Sequence, residues 1–269
     1  MRLRNIAILL AGALLVVYVA VFALLVFYQR SLLFFGGRHE AVMDPAYHIV
    51  TIKESDGVAL NVWETPPGKP GSPIIVFFYG NAGTLSDFAG IGETLNNEGY
   101  GIVLASYRGY DGNPGLPTED GLMNDARSIL KSLPRNHGPI ILWGQSLGSG
   151  VAARMASEGR ANALILQSPY TAVADVAARR FPIYPVHWFM RDRFNTFALV
   201  PKIKMPVLII HGMEDDVVPF DMGETLSHQF GQEATFVAIP NRGHNDLGAR
   251  DLLPIADKWL KEHIAWTHS

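Results

Sequence analysis

Hydrophobic residues are distributed in two textures along the chain. Across residues 6–28 no charged side chain occurs, and Leu, Val, Ala, Ile and Phe fill nearly every position. A helix of that length extends about 34 Å, enough to cross a hydrocarbon core of about 30 Å. It is apolar on every face, unlike a helix that packs one stripe against a soluble core. The run passes Val21-Phe22-Ala23, a passable leader-cleavage site, and so outlasts the roughly 7–15 apolar residues of a cleaved leader. Residues 1–30 are therefore expected to form an uncleaved transmembrane anchor. A juxtamembrane linker follows over 31–46, and its greasy start, Ser31-Leu32-Leu33-Phe34-Phe35-Gly36-Gly37, is expected to rest at the membrane surface.

From residue 47 onward apolar runs are short and punctuated. Residues 47–52 and 58–64 read as two strands with Ser55-Asp56-Gly57 as the turn between them, and the Pro/Gly-rich 65–73 as a loop. Strands and helices then alternate. Ile74–Phe78 is continuously apolar, as in a strand covered on both faces. Thr84 can cap a helix ending near Asn97. Further strands are expected at 102–106, 140–143, Ala163–Gln167, 207–211 and 235–239, and helices at 119–133, 146–157, 221–230 and 248–263. An irregular insert separates the strands near 167 and 207. The alternation predicts an α/β catalytic domain over 47–269, with a mostly parallel sheet of about eight strands, an antiparallel edge from the opening hairpin, and helices on both faces.

Composition narrows the function. A 269-residue chain accommodates one sizeable domain and a short appendage, and its formal net charge of −3 with no Lys/Arg-rich run excludes nucleic acid as a partner. The lack of cysteine rules out disulfides, thiolate catalysis and cysteine-bound zinc. Arg2 and Arg4 precede the anchor, while Arg30 and Arg38 follow it with Glu40 nearby. These nearly balanced flanks lean toward a cytoplasmic N-terminus and a catalytic domain on the non-cytoplasmic side.

Gly144-Gln145-Ser146-Leu147-Gly148 matches G-x-S-x-G between a strand and a helix, the setting in which a nucleophilic serine is held on a strained turn. The helix that follows directs its positive end toward an oxyanion formed there. A serine hydroxyl needs a base, and the base an orienting acid. His211-Gly212-Met213-Glu214-Asp215-Asp216 places acids after one strand, and Arg242-Gly243-His244 places a histidine after the last, both at the carboxyl edge where open parallel sheets bind ligands. Spacing alone does not choose among Glu214, Asp215 and Asp216. His211 is expected to pack beneath the acid loop in a structural role. His39, His48, His137, His187, His228, His263 and His268 lack a comparable context, and no histidine–carboxylate set has metal-ligand spacing, so neither a metal nor another cofactor is expected. Two backbone N–H donors should form the oxyanion hole: one from Leu147, the other from Tyr79-Gly80-Asn81-Ala82-Gly83, where Asn81 is expected and Ala82 is the alternative.

With Ser106-Tyr107-Arg108-Gly109-Tyr110, Gln167-Ser168-Pro169-Tyr170-Thr171 and Val218-Pro219, these motifs resemble the α/β-hydrolase superfamily from about residue 49 onward. The anchor followed by Gln29-Arg30-Ser31-Leu32 resembles its membrane-anchored, alpha/beta-hydrolase-domain-containing branch, related to serine aminopeptidase-like and protein-depalmitoylating members. The resemblance implies the α/β-hydrolase fold and a Ser146, His244 and Asp215 triad, favouring Asp215 over its neighbours. It also implies hydrolysis of acyl esters or thioesters through an acyl-enzyme. The chain departs from the pattern in having Tyr79 where His is usual and Ser106 where Asp is usual. A serine peptidase of the aminopeptidase kind and a non-catalytic anchored scaffold are the rival readings. Phe181-Pro182-Ile183-Tyr184-Pro185-Val186-His187-Trp188-Phe189-Met190 is dense in aromatics within the insert. It is expected to belong to a small lid (181–198) forming an apolar acyl pocket that faces the bilayer, with Tyr79, Trp188 and Phe189 touching substrate.

Overall fold

The computed structural model describes residues 2–35, 41–54, 56–264 and 266. Ser55 of the expected turn, Gly36 and Gly37 of the linker, the flanking Arg38 and Glu40, and His39 and His268 lie outside the described residues. Helix α1 covers Arg2–Leu33, 32 residues, and is the one described helix long and apolar enough to cross a membrane. Residues 2–17 are exposed throughout. From Tyr18 on, the helix is half-buried along Tyr18, Phe22, Leu25, Val26, Gln29 and Leu33, a spacing that stays on one helical face. The helix thus runs beyond the expected boundary at residue 30. Phe34, expected at a membrane surface, is instead buried against the domain with its ring 6.2 Å from that of Phe194.

The domain is built on one eight-stranded sheet: β1 (His48–Lys53), β2 (Ala59–Thr65), β3 (Ile74–Phe78), β4 (Gly101–Ala105), β5 (Ile140–Gln145), β6 (Ala163–Gln167), β7 (Val207–Gly212) and β8 (Ala234–Ile239). Their order in space is β1-β2-β4-β3-β5-β6-β7-β8. β2 runs antiparallel to both β1 and β4, and the other neighbours are parallel. β3, β4 and β6 are buried at every position, which is why their sequences are apolar apart from the buried Gln167 that ends β6. β1, at the edge, leaves most of its residues exposed or half-exposed. The helices that cover the sheet are α2 (Ser86–Asn97), α3 (Glu119–Ser132), α4 (Leu147–Ser157), α7 (Phe220–Phe230) and α8 (Ala249–His263). Thr118 starts α3 by accepting the Gly121 N–H on its hydroxyl, at 3.0 Å.

The insert between β6 and β7 is more ordered than its sequence suggests. It contains α5 (Val173–Arg180) and the short α6 (Val186–Phe189), held by an isolated bridge between Ala172 and Asn195. α5 has only eight residues and buries just Val173 and Ala174, too weak an apolar period to be read along the chain. These helices form a cap that leans on α1. Next to the sheet's antiparallel edge, Arg108 gathers Asp125 at 2.6 Å with Glu54 and Asp56, each at 2.8 Å.

Candidate active site

The parallel arrangement ends β5, β7 and β8 at the same edge, and three loops there bring Ser146, Asp215 and His244 together. Ser146 sits between β5 and α4 with φ 49° and ψ −119°, a positive-φ backbone conformation that residues other than glycine rarely adopt. The flanking glycines show why the turn can be this tight. A Cβ on Gly144 would lie 2.4 Å from the Gly148 carbonyl oxygen, and one on Gly148 only 2.0 Å from that of Phe78. The Ser146 N–H donates to the Gln167 carbonyl at 2.9 Å, fixing the turn to the neighbouring strand.

The loops after β7 and β8 are joined through their backbones: Met213 N–H donates to Ile239 O and Glu214 N–H to Arg242 O, both at 2.9 Å. This pairing turns Asp215 inward while Glu214 and Asp216 stay exposed, so that of the three acids Asp215 is the one hydrogen-bonded to His244. Asp215 Oδ1 accepts the N–H groups of Val217 at 3.0 Å and Val218 at 2.7 Å. Its Oδ2 lies 2.7 Å from His244 Nδ1, and His244 Nε2 lies 2.9 Å from Ser146 Oγ. Burial pushes the Asp215 carboxyl up, but hydrogen bonds from His211 and His244, with backbone help from Val218, outweigh it and hold the group well below the usual carboxylate range. His244 therefore faces a fixed negative charge through Nδ1 and a serine hydroxyl through Nε2.

His211 lies beneath the acid loop, as expected, but it does more than pack there. Fully buried, it brings Nε2 to 3.0 Å from the Val218 carbonyl and 3.2 Å from Asp215 Oδ2. A proton on Nε2 is thus shared between the acid loop's backbone and its carboxylate. The histidine at the end of a buried strand was the available signal for this role, and the strand alone did not reveal where the ring points.

Leu147 opens α4, so its N–H is one of the first-turn donors that lack an intrahelical acceptor. Across from it, Gly80 approaches closely enough that a Cβ there would lie 3.2 Å from Ser146 Cβ, which places the Gly80–Asn81 turn beside the nucleophile. The Asn81 side chain points the other way, donating from Nδ2 to the Leu33 carbonyl at the end of α1, at 2.9 Å.

Tyr79 is not at the substrate position expected for it. Its side chain is buried in the core, 1% exposed, and its hydroxyl donates to Asp111 Oδ2 and contacts Ser106 Oγ at 3.0 Å. Ser106 also donates to Asp111 Oδ2, at 2.7 Å, and the Leu85 N–H approaches Oδ1 at 3.4 Å. The two departures from the family pattern are thus linked. With Tyr and Ser at these positions, the acid that fastens the loop after β3 comes from Asp111, held at φ 49° in the following turn. Burial raises the Asp111 carboxyl despite those hydrogen bonds.

Of the expected cap contacts, Phe189 faces α1, its ring edge-on to Phe22 at 4.8 Å. Trp188 projects into the open, 82% exposed. Between α1 and the cap lies an apolar cavity of about 270 Å³, lined by Phe22, Leu25 and Val26 from α1, Val176 and Phe189 from the cap, and Asn81.

The alpha/beta hydrolase fold family matches residues 73–200 of the chain. The chain is 34% identical over 226 residues to an uncharacterized protein of Mycobacterium tuberculosis, an alignment spanning 81% of this chain and 80% of that one. It is 30% identical over 220 residues to the lysophosphatidylserine lipase ABHD12 of Danio rerio, covering 66% of this chain and 57% of the lipase. Among solved structures, the esterase Pf2001 of Pyrococcus furiosus superposes with a TM-score of 0.69 at 19% identity, over 85% of this chain and 98% of that one.

Proposed function

The chain belongs to the α/β-hydrolase superfamily and is a hydrolase acting on esters, and on that premise we propose that Ser146, His244 and Asp215 are its catalytic triad, that α1 anchors it in a membrane, and that it cleaves acyl esters or thioesters. The observation that carries the reading is the continuous pair of contacts through one imidazole, 2.7 Å to Asp215 and 2.9 Å to Ser146, on a serine held at positive φ. In this reading Ser146 Oγ attacks the acyl carbonyl while His244 Nε2 takes its proton. The N–H groups of Leu147 and Asn81 receive the negative charge that develops on the carbonyl oxygen. Collapse of the tetrahedral species expels the alcohol or thiol, which leaves with the proton held on His244. Water, deprotonated by the same nitrogen, then attacks the acyl-enzyme, and Ser146 recovers its proton as the acid departs. Asp215 keeps Nδ1 protonated and stabilises the imidazolium, and no cofactor takes part.

The apolar cavity beside the oxyanion loop supports an acyl group as the part of the substrate that is bound. The lipase relative acts, by its name, on a single-chain phospholipid, and we extend that class of substrate to this chain. The flanking charges of α1 support a catalytic domain on the non-cytoplasmic side.

Labelling of the detergent-solubilised protein with a fluorophosphonate tests the triad. The wild type should be labelled, and Ser146→Ala and His244→Ala should lose labelling and reduce ester hydrolysis by on the order of 10⁴-fold or more. A folded wild type that resists the probe, or a Ser146→Ala variant that still hydrolyses esters, overturns the assignment.

A further inference from the structure

The cavity is bounded by α1 itself and reaches the turn after β3 at Asn81. α1 reaches the cap along one face: Tyr18 stacks on Tyr184 at 4.8 Å and donates to the Ile183 carbonyl at 3.0 Å, and Phe22 stacks on Tyr184 at 5.8 Å. Toward its C-terminal end Gln29 accepts the Arg191 N–H at 2.8 Å, Arg30 pairs with Asp192 at 2.7 Å, and the Leu33 carbonyl accepts from Asn81 on the oxyanion loop. Leu25 and Val26, between these contacts, face the cavity.

The depth of these contacts follows from length. Only about 13 residues separate Arg4 from Tyr18, which at about 1.5 Å each span roughly 20 Å, short of the roughly 30 Å of a hydrocarbon core. A spanning α1 must therefore carry Tyr18 and Phe22 inside the leaflet, and with them the cap residues they touch. Ile183, 69% exposed, and Trp188, 82% exposed, then meet lipid instead of water.

We infer that the cavity is an acyl-chain site entered sideways from the leaflet, with the anchor helix as one wall. It would take one fatty-acyl chain of a membrane-resident ester and lead its carbonyl past Asn81 to Ser146. At about 270 Å³ it falls just below the roughly 300–1,000 Å³ of sites that enclose a drug-sized ligand, which suits one chain and not two. The inference rests on the serine-hydrolase and membrane-anchor reading and adds that the anchor is part of the binding site.

The test uses the full chain in phosphatidylcholine vesicles with a dodecyl fluorophosphonate carrying a diazirine at the end of its chain. The probe first attaches to Ser146, and irradiation then cross-links the chain end to whatever surrounds it. Cross-links to the segment of α1 containing Leu25 and to the cap around Val176 are expected. Attachment to Ser146 with cross-links only elsewhere overturns the acyl site, whereas no attachment to Ser146 overturns the hydrolase reading beneath it. As a second measurement, Leu25→Trp should lower the ratio of kcat/KM for p-nitrophenyl dodecanoate over p-nitrophenyl butyrate at least tenfold, and Phe22→Ala should shift preference toward longer chains. Leu10→Trp, on the exposed part of α1, should leave the ratio unchanged. Equal losses on both esters in Leu25→Trp, with no shift in Phe22→Ala, would sink the idea.

Discussion

Around Asp215 four donors converge on two carboxylate oxygens in a buried pocket, whereas between α1 and the cap the contact is mainly ring against ring. Polar contacts on α1 occur mainly where the helix leaves the cap, at Gln29, Arg30 and Leu33, with Tyr18 as the exception. The two regions should therefore fail differently. Removing one partner from the triad leaves a buried charge or an unfilled donor, and the cost is concentrated in chemistry. Thinning the α1–cap contact loses apolar area in increments and changes which substrate is held, not whether bonds break.

The sharpest way to break this contrast is at the acid. Asp215→Asn should reduce kcat by on the order of 10⁴-fold, because the amide cannot hold the Nδ1–H tautomer of His244 as the carboxylate does. Asp216→Asn, on an exposed side chain, should stay within about threefold of wild type in the same ester assay. Comparable losses in both would return the acid to its neighbours.

His211 tests whether the acid's setting matters apart from its charge. Replacing His211 with Phe removes the Nε2 contact with Asp215 and the one with Val218 O, letting the acid loop shift. Since displacement by about 1 Å can cost about 100-fold, kcat should fall by roughly 10- to 100-fold with KM little changed. A loss confined to thermal stability would assign His211 to packing alone.

On the other side of the comparison, Asp192 joins α1 to the domain. It pairs with Arg30 and also accepts the Glu119 N–H at 2.8 Å, with only 5% of its side chain exposed. Asp192→Ala leaves that donor unfilled and should cost about 1–3 kcal/mol in unfolding experiments. Arg30→Ala removes a side chain that is 46% exposed, and should cost no more than about 1 kcal/mol. Equal costs would mean that the ion pair and not the buried acceptor holds the helix.

The last effect lies far from both regions, at Arg108. Burial, with Asp125 beside it, pushes the Glu54 carboxyl from 4.5 up to about 8, against the pull of Arg108. Its proton is held more tightly in the folded than in the unfolded chain. The resulting stabilisation is fully present below about 4.5 and is lost as pH rises through about 8. Thermal midpoints of the wild type should drop across that window, and Glu54→Gln, which keeps the neutral form, should flatten the drop. A profile unchanged by the substitution would remove Glu54 as its source.

Residue patterning carried much of the domain. Continuous apolar runs correspond to buried strands such as β3 and β6, G-x-S-x-G falls on the strained turn at Ser146, and acid and base follow the strands that end at the same edge. These features are legible because strand burial and turn chemistry act over a few residues. Other choices required the folded chain. The backbone pairing of two loops turns Asp215 and not its exposed neighbours inward to His244, and Asp111 supplies a carboxylate that Ser106 lacks only because the following turn brings it back. Trp188 and Phe189, adjacent in sequence, end on different surfaces, since neighbouring side chains on a helix point about 100° apart and only Phe189 is turned toward α1. α1 itself reads from sequence as a uniform apolar rod, with nothing in its composition to distinguish the face carrying Phe22, Leu25 and Val26. That face is defined by partners about 160 positions away, such as Asp192 for Arg30, which only packing of the cap against the sheet brings within reach.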